Sequence, residues 1–142
     1  MFTVEQSIVI NRPIEQVFAY VTNPNNITQW RPDVLAINGA GSSVVAGDRF
    51  DELVNFMGRK TFTMQVVEYQ PNQREVIQAV SGPGVKPTQT FQFESRDDGT
   101  YLSITANVRT SGLFRLMEPM MPAMFSKTWS QYLSNLKHIL EN

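Results

Sequence analysis

Apolar and polar positions alternate along most of the chain, which is the pattern of half-buried β-strands. Glycine, proline and asparagine residues that favour turns interrupt the alternation. The pattern predicts a first strand and six more, at residues 2–10, 34–38, 49–57, 61–69, 74–80, 88–95 and 101–110. Most of the connections are short, so we expect the strands to form an antiparallel sheet.

Two short helices are predicted directly after the first strand. Pro13 suits the first position of a helix, and apolar residues then recur at the spacing i, i+3, i+4 and i+7. These residues are Ile14, Val17, Phe18 and Val21. We therefore predict a helix at residues 13–22 with one buried face, and a second short helix at about residues 24–29.

The last segment, residues 111–142, has helical periodicity. Its first half is rich in methionine, and four apolar residues at helical spacing form one predicted stripe: Leu113, Met117, Met120 and Met124. Pro119 and Pro122 each remove a backbone donor, so we predict a kink or a restart of the helix there. The second half is predicted to anchor the helix through Trp129, Leu133 and Leu136. We hypothesise that the methionine-rich half shifts and gates a cavity.

Side-chain parity predicts the faces of the two clearest hairpins. A two-residue turn at Asp98 and Gly99 sets Phe93 opposite Ile104, with an apolar face and a polar face on both strands. In the earlier hairpin, a loop with an even number of residues would mix apolar and polar side chains on each face. A loop with an odd number keeps them apart, so we predict a three-residue loop at residues 58–60. That register places seven side chains on the same inner face of the sheet: Phe50, Glu52, Val54, Phe56, Phe62, Met64 and Val66. The element order predicts an α+β fold, with the curved antiparallel sheet wrapped around the final helix.

Composition narrows the class of protein. The chain has 142 residues, 42% hydrophobic and 18% charged, as expected for one globular domain over residues 1–142. A net charge of −1 gives no basic surface for nucleic acid. Cysteine is absent, which excludes thiol chemistry and fits a reducing compartment. No apolar run is long enough to cross a bilayer, so we expect a cytoplasmic protein without stable membrane insertion.

Several short motifs resemble the START-like or SRPBCC superfamily, and most closely its polyketide cyclase/dehydrase-like branch. They are spread over nearly the whole chain: Arg12-Pro13-Ile14-Glu15-Gln16-Val17-Phe18, Trp30-Arg31-Pro32, Gly47-Asp48-Arg49-Phe50, Phe56-Met57-Gly58-Arg59, Glu68-Tyr69-Gln70-Pro71 and Gly112-Leu113-Phe114-Arg115. The resemblance implies a helix-grip fold that encloses an apolar cavity for hydrophobic small molecules. It does not imply one reaction, because this family includes cyclases, lipid carriers and receptors.

Most catalytic constellations are missing from the sequence. His138 is the only histidine, and in a last helical turn it is typical of a surface residue. With one histidine and no cysteine, the chain lacks a set of side chains that could bind a transition metal, and we expect no metal and no cofactor. Asp97 and Asp98 are explained by turn geometry, and no glycine-rich phosphate loop is present.

Glu52 is the strongest catalytic candidate. If its side chain points into an apolar cavity, desolvation raises its pKa and suits it to act as an acid or base. A register error, a bulge or a neutralising arginine would remove that role. Glu68 shares its parity and is expected at the rim of the cavity. Thr128 and Tyr132 on the final helix can offer hydroxyl groups to a ligand.

The predicted ligand-binding residues are Trp30, Phe50, Glu52, Val54, Phe56, Phe62, Met64, Phe91, Phe93, Met117, Met120, Met124 and Thr128. The apolar members of this set are equally consistent with simple core packing. For the methionines, composition alone favours core packing, and it is the family resemblance that brings the cavity interpretation level with it, since a flexible methionine side chain adapts to different shapes.

Three functions are consistent with these patterns. The first is binding of a hydrophobic or aromatic small molecule, lipid-like or polyketide-like, between the sheet and the final helix. The second is a cyclase or dehydrase that uses Glu52 as acid or base. The third is an interaction module, as in a homodimer, whose cavity is filled by its own side chains.

Overall fold

The computed structural model describes residues 1–41 and 44–142. These described residues form seven strands: β1 (Phe2–Ile10), β2 (Val34–Asn38), β3 (Arg49–Asn55), β4 (Arg59–Gln70), β5 (Arg74–Ser81), β6 (Val85–Arg96) and β7 (Gly99–Thr110). The helices are α1 (Ile14–Val21), α2 (Ile27–Trp30), α3 (Leu113–Met117) and α4 (Met121–Glu141). Short 3-10 turns at Pro24–Asn26 and Glu118–Met120 precede α2 and α4. The loop predicted at residues 39–43 includes Ser42 and Ser43, which lie outside the described residues.

The strands form one antiparallel sheet in the order β1-β7-β6-β5-β4-β3-β2. The sheet curls into a half-barrel around the C-terminal helix, so the predicted α+β helix-grip fold is confirmed. Both predicted short helices lie between β1 and β2. In the described part of the chain, no helix combines the length and the apolar character needed to cross a membrane.

The core lies between the inner face of the sheet and one side of α4. From the sheet it includes Ile10, Val66, Leu102 and Val108, and from α4 it includes Trp129, Leu133, Leu136 and Leu140. Burial of one large apolar side chain contributes about 1.5–3 kcal/mol. The second half of the final helix is therefore its anchor, as predicted.

The turn between β6 and β7 differs from the prediction. Arg96 pairs with Gly99, so the two-residue turn is Asp97-Asp98 rather than Asp98-Gly99, and Phe93 lies opposite Leu102. Asp97 adopts the positive φ of this turn, at 56°. Gly99 is needed for another reason, since a Cβ there would lie 2.8 Å from the carbonyl oxygen of Ile10. The strand pairing is shifted by two residues, from Ile104 to Leu102 opposite Phe93, so each side chain keeps its predicted face.

The hairpin between β3 and β4 is displaced in the same way. Its three-residue turn is at residues 56–58, not 58–60, because Asn55 pairs with Arg59. The odd loop length is as predicted, so Phe50 and Glu52 share a face with Met64 and Phe62. Glu52 is only 3% exposed on that inner face.

The predicted methionine stripe is wrong. Leu113 and Met120 are each 69% exposed, whereas Met121 is 1% exposed. The cause is the 3-10 turn at Glu118–Met120, which contains Pro119 and has about three residues per turn, so the helical phase changes there. The predicted restart of the helix at the prolines is confirmed, with Pro122 in the first turn of α4.

Candidate functional site

A cavity of about 240 Å³ lies between the sheet and α4. Its apolar lining includes Val54, Phe56, Phe62, Met64, Val85, Pro87, Ala106, Val108, Met124, Phe125 and Trp129. Its polar lining consists of Arg31, Asp33, Glu52, Asn55, Gln89, Thr128 and Tyr132. The strands contribute inward-facing side chains, and α4 contributes one side of its first three turns.

About half of the predicted ligand-binding residues line this cavity. They are Glu52, Val54, Phe56, Phe62, Met64, Met124 and Thr128. Six do not line it. Trp30, Phe50, Phe91 and Phe93 are buried in the core, Met117 packs partly buried against it, and Met120 is exposed. Phe93 is covered by Phe18 of α1, with ring centroids 4.9 Å apart, and Phe91 packs against Trp129 at 6.2 Å.

Arg31 is the central polar residue of the cavity, and sequence reasoning missed it. It follows α2 with an extended backbone (φ −116°, ψ 95°), as expected for a residue that precedes proline. Its guanidinium carbon lies 5.2 Å and 5.3 Å from the ring centroids of Trp129 and Tyr132. These distances are typical of cation–π contacts. The available signal was the motif Trp30-Arg31-Pro32, which places a charged side chain beside a buried tryptophan.

Two carboxyl groups flank the Arg31 guanidinium. Its Nη2 atom lies 3.4 Å from Oδ2 of Asp33, and its Nη1 atom lies 3.8 Å from Oε1 of Glu52. The second distance is too long for a hydrogen bond, so that contact is electrostatic. The neutralising arginine considered for Glu52 is therefore present. However, its contact with Glu52 is longer than its contact with Asp33, so its positive charge interacts with both carboxyl groups.

Burial and neighbouring charges act together on these groups. Burial raises the pKa of Glu52, Arg31 opposes this shift, and Asp33 adds to it. Burial alone would lower the pKa of Arg31, but Glu52 and Asp33 raise it above its usual range. Burial also raises the pKa of Tyr132, against the effect of Arg31. Arg31 therefore stays charged and Tyr132 keeps its proton.

Two buried polar atoms of this cluster lack a hydrogen-bond partner among the described residues. They are Nε of Arg31, a donor, and Oδ1 of Asp33, an acceptor. An unpaired buried polar group costs about 1–3 kcal/mol. The cluster can therefore bind a polar group that enters the cavity.

A second buried acid was also missed. Glu75 on β5 lies opposite Tyr69 and Phe91 and is 1% exposed. Neither of its carboxyl oxygens has a hydrogen-bond partner within the described part of the chain, and burial raises its pKa to about 8. The signal was its parity with Ile77 and Ala79 on the same strand. Glu75 is not among the residues that line the cavity.

The remaining candidates lie outside the cavity. His138 is exposed on α4, where its ring lies 3.1 Å from the side-chain amide of Asn142. Glu68 is half-buried and forms an ion pair with Arg74 at 3.1 Å. Across residues 1–41 and 44–142, no group of three or more histidine, cysteine or acidic side chains could hold a metal ion.

Comparison with known families agrees with this architecture. The profile described as "Polyketide cyclase / dehydrase and lipid transport" matches residues 1–141. The chain belongs to this family. A comparison with curated proteins found no match.

Solved structures with the same fold are distant in sequence. A START superfamily protein from Mycobacterium smegmatis is 17% identical with a TM-score of 0.79, and the match covers 98% of this chain and 97% of that one. TTHA0849 from Thermus thermophilus is 16% identical with a TM-score of 0.79, over 96% and 95% of the two chains. DynU16, a protein in the dynemicin biosynthetic locus, is 18% identical with a TM-score of 0.73, over 99% of this chain and 47% of its own. At such identities the likeness shows the fold alone.

Proposed function

We propose that the protein binds a small apolar or aromatic molecule in the cavity between the sheet and α4. The observation that carries this proposal is the unfilled space of about 240 Å³ beside buried polar atoms that lack partners among the described residues. An apolar ligand gains roughly 25 cal/mol for each Å² that it buries, before the cost of association. The volume is below the ~300–1,000 Å³ of typical ligand sites, so a ligand of one or two rings fits best.

The proposed contacts include seven residues that the sequence predicted. Glu52, Val54, Phe56, Phe62, Met64, Met124 and Thr128 form one part of the wall, and Arg31, Trp129 and Tyr132 are added to them. The gating hypothesis is kept for the segment that ends in Met124 and Phe125. Its exposed apolar residues Leu113, Leu116 and Met120 would become partly covered if the segment closed over a ligand.

A binding experiment with naphthalene tests this proposal. Binding is measured by calorimetry and by the tryptophan fluorescence of Trp129, which lines the cavity. Thr128→Phe fills the cavity from α4 and should reduce the affinity at least ~10-fold, since the ring occupies the apolar volume. Ser130→Phe is the matched control, because Ser130 is exposed on the same helix. Absence of binding by the wild type, or equal binding by Thr128→Phe, would reject the proposal.

Catalysis of the cyclase or dehydrase type is the second candidate. The observation that favours it is a carboxyl group with a raised pKa, Glu52, in the same cavity as a charged arginine. Glu52 would transfer a proton while Arg31 stabilises charge on a ligand oxygen. With a diketide or triketide analogue, Glu52→Gln should abolish turnover while leaving binding nearly intact. Turnover that survives in Glu52→Gln would exclude this role.

The filled-cavity interaction module has less support. Leu113, Leu116 and Met120 give the molecule an exposed apolar surface, which would suit a homodimer. The open volume beside Glu52 argues against a cavity filled by side chains. Light scattering at increasing protein concentration measures the association directly. A dimer that does not bind naphthalene would favour the interaction module over the ligand-binding function.

A further inference from the structure

The positive charge of Arg31 is already compensated without a ligand. Arg31 is the only cationic side chain among the described lining residues, and it faces Asp33 and Glu52. If Glu52 is protonated, the charges of Arg31 and Asp33 cancel each other. If Glu52 is ionised, the three side chains carry a net negative charge. In neither state is a positive charge left over for an anionic ligand.

An ammonium group is also poorly matched to this cluster. It would lie beside the Arg31 guanidinium, which is buried and stays charged. Like charges placed together in a buried site are strongly unfavourable. Both signs of ligand charge are therefore opposed by a residue that lines the cavity.

The unpaired atoms indicate which neutral group would fit. Nε of Arg31 can donate a hydrogen bond and Oδ1 of Asp33 can accept one, and neither has a partner among the described residues. A hydroxyl group is both an acceptor and a donor, so its hydrogen-bonding capacity matches this pair of atoms. A carboxylate lacks the donor, and an ammonium lacks the acceptor.

The rest of the cavity favours a ring beside that hydroxyl. Phe56, Phe62, Trp129 and Tyr132 line it, and aromatic side chains pack well against flat apolar ligands. We infer, on the basis of the proposed function, that the cavity selects a neutral phenol or enol and discriminates against carboxylates and ammonium ions. The hydroxyl accepts from Arg31 and donates to Asp33 or Glu52.

Four ligands of similar size and different head groups test this selectivity at pH 7. They are 2-naphthol, 2-naphthoate, 2-naphthylmethylammonium and naphthalene, each titrated by calorimetry. We expect 2-naphthol to bind tightest, at least ~10-fold tighter than either ion, because each ion meets a like charge in the cavity. Equal or tighter binding of either ion would overturn the inference.

Charge removal should shift this preference towards the carboxylate. Asp33→Asn combined with Glu52→Gln leaves Arg31 uncompensated, so 2-naphthoate should gain at least ~10-fold in affinity relative to 2-naphthol. Asp33→Asn alone should shift the ratio in the same direction by less, and its more exposed side chain makes it the safer variant for folding. Asp51→Asn with Glu94→Gln is the control, since it removes the same charges outside the cavity and should leave the ratio unchanged. An unchanged ratio in both cavity variants would contradict the inference.

The outcomes separate this inference from the function on which it rests. If naphthalene binds and 2-naphthol binds no tighter, ligand binding stands and the selectivity is wrong. If none of the four ligands binds, both are rejected.

Discussion

Glu52 and Glu75 are two buried acids on the inner face of the same sheet, in different surroundings. Glu52 lines the cavity with Arg31 at 3.8 Å, whereas Glu75 lies opposite Tyr69 and Phe91 without a hydrogen-bond partner in the described part of the chain. Burial raises the pKa of both, but of the two, within residues 1–41 and 44–142, only Glu52 has a cation that opposes the shift. A buried acid is therefore not by itself a site. The adjoining cavity and the charge partner distinguish Glu52.

The largest expected effect concerns Glu75. Its pKa is raised from 4.5 to about 8 on folding, so the folded state holds a proton that the unfolded state releases in between. Stability is then full below about pH 4.5 and falls as the pH rises to about 8. At about 1.36 kcal/mol per pKa unit, the loss is on the order of 4–5 kcal/mol.

Urea unfolding of the wild type and of Glu75→Gln from pH 5 to pH 9 measures this loss. The neutral amide should show a flatter profile and should be the more stable protein at pH 9. Glu94→Gln is the control, because Glu94 is exposed on β6. Parallel profiles for the wild type and Glu75→Gln would show that Glu75 is not protonated by burial.

The second-largest expected effect concerns Arg31, the cation beside Glu52. Arg31→Met keeps the unbranched aliphatic stem but removes the charge and leaves Glu52 buried beside the half-buried Asp33, so we expect a loss of about 3–4 kcal/mol in the free energy of unfolding at pH 7. Glu52→Gln in the Arg31→Met background should recover part of it, since it removes the uncompensated charge. Additive effects of the two changes would contradict an interaction between Arg31 and Glu52.

The smallest expected effect is that of Glu52 on the pH dependence of stability, and it tests the comparison of Glu52 with Glu75 directly. Glu52→Gln should flatten the pH dependence of stability in the same direction as Glu75→Gln, because burial raises both pKa values above 4.5. Arg31 limits the shift of Glu52, so we expect a smaller change than for Glu75. The unfolding profiles over the same pH range measure it. A steeper dependence on Glu52 than on Glu75 would reverse the comparison.

The faces of the sheet were predictable because they depend only on a period of two. The predicted turns were wrong by one residue in one hairpin and by two in the other, but each error shifts the strand pairing by an even number of residues, so Phe93 and Glu52 stay on their predicted faces. The turns themselves were less predictable. Asp97 takes the positive φ, and Gly99 is needed for its close approach to Ile10. Neither property follows from the dipeptide Asp98-Gly99.

The composition of the cavity was predictable only in part. Phe91 and Phe93 have the right parity, but α1 and Trp129 cover them, and parity does not report what lies above a face. Met120 has the right spacing, but the 3-10 turn moves it to the surface. Helical spacing holds only where the helix has a constant number of residues per turn.

Local patterns in the sequence were sufficient for the α+β class, the inner and outer faces of the strands, the break at the prolines and the inward direction of Glu52. Only the tertiary structure decided that Arg31, at the end of α2, meets Glu52 of β3, and that Glu75 meets no cation among the described residues. Periodicity is a property of one segment, and it is set by backbone geometry. Charge balance and cavity volume depend on which segments pack together, and so they arise only when the sheet closes around α4.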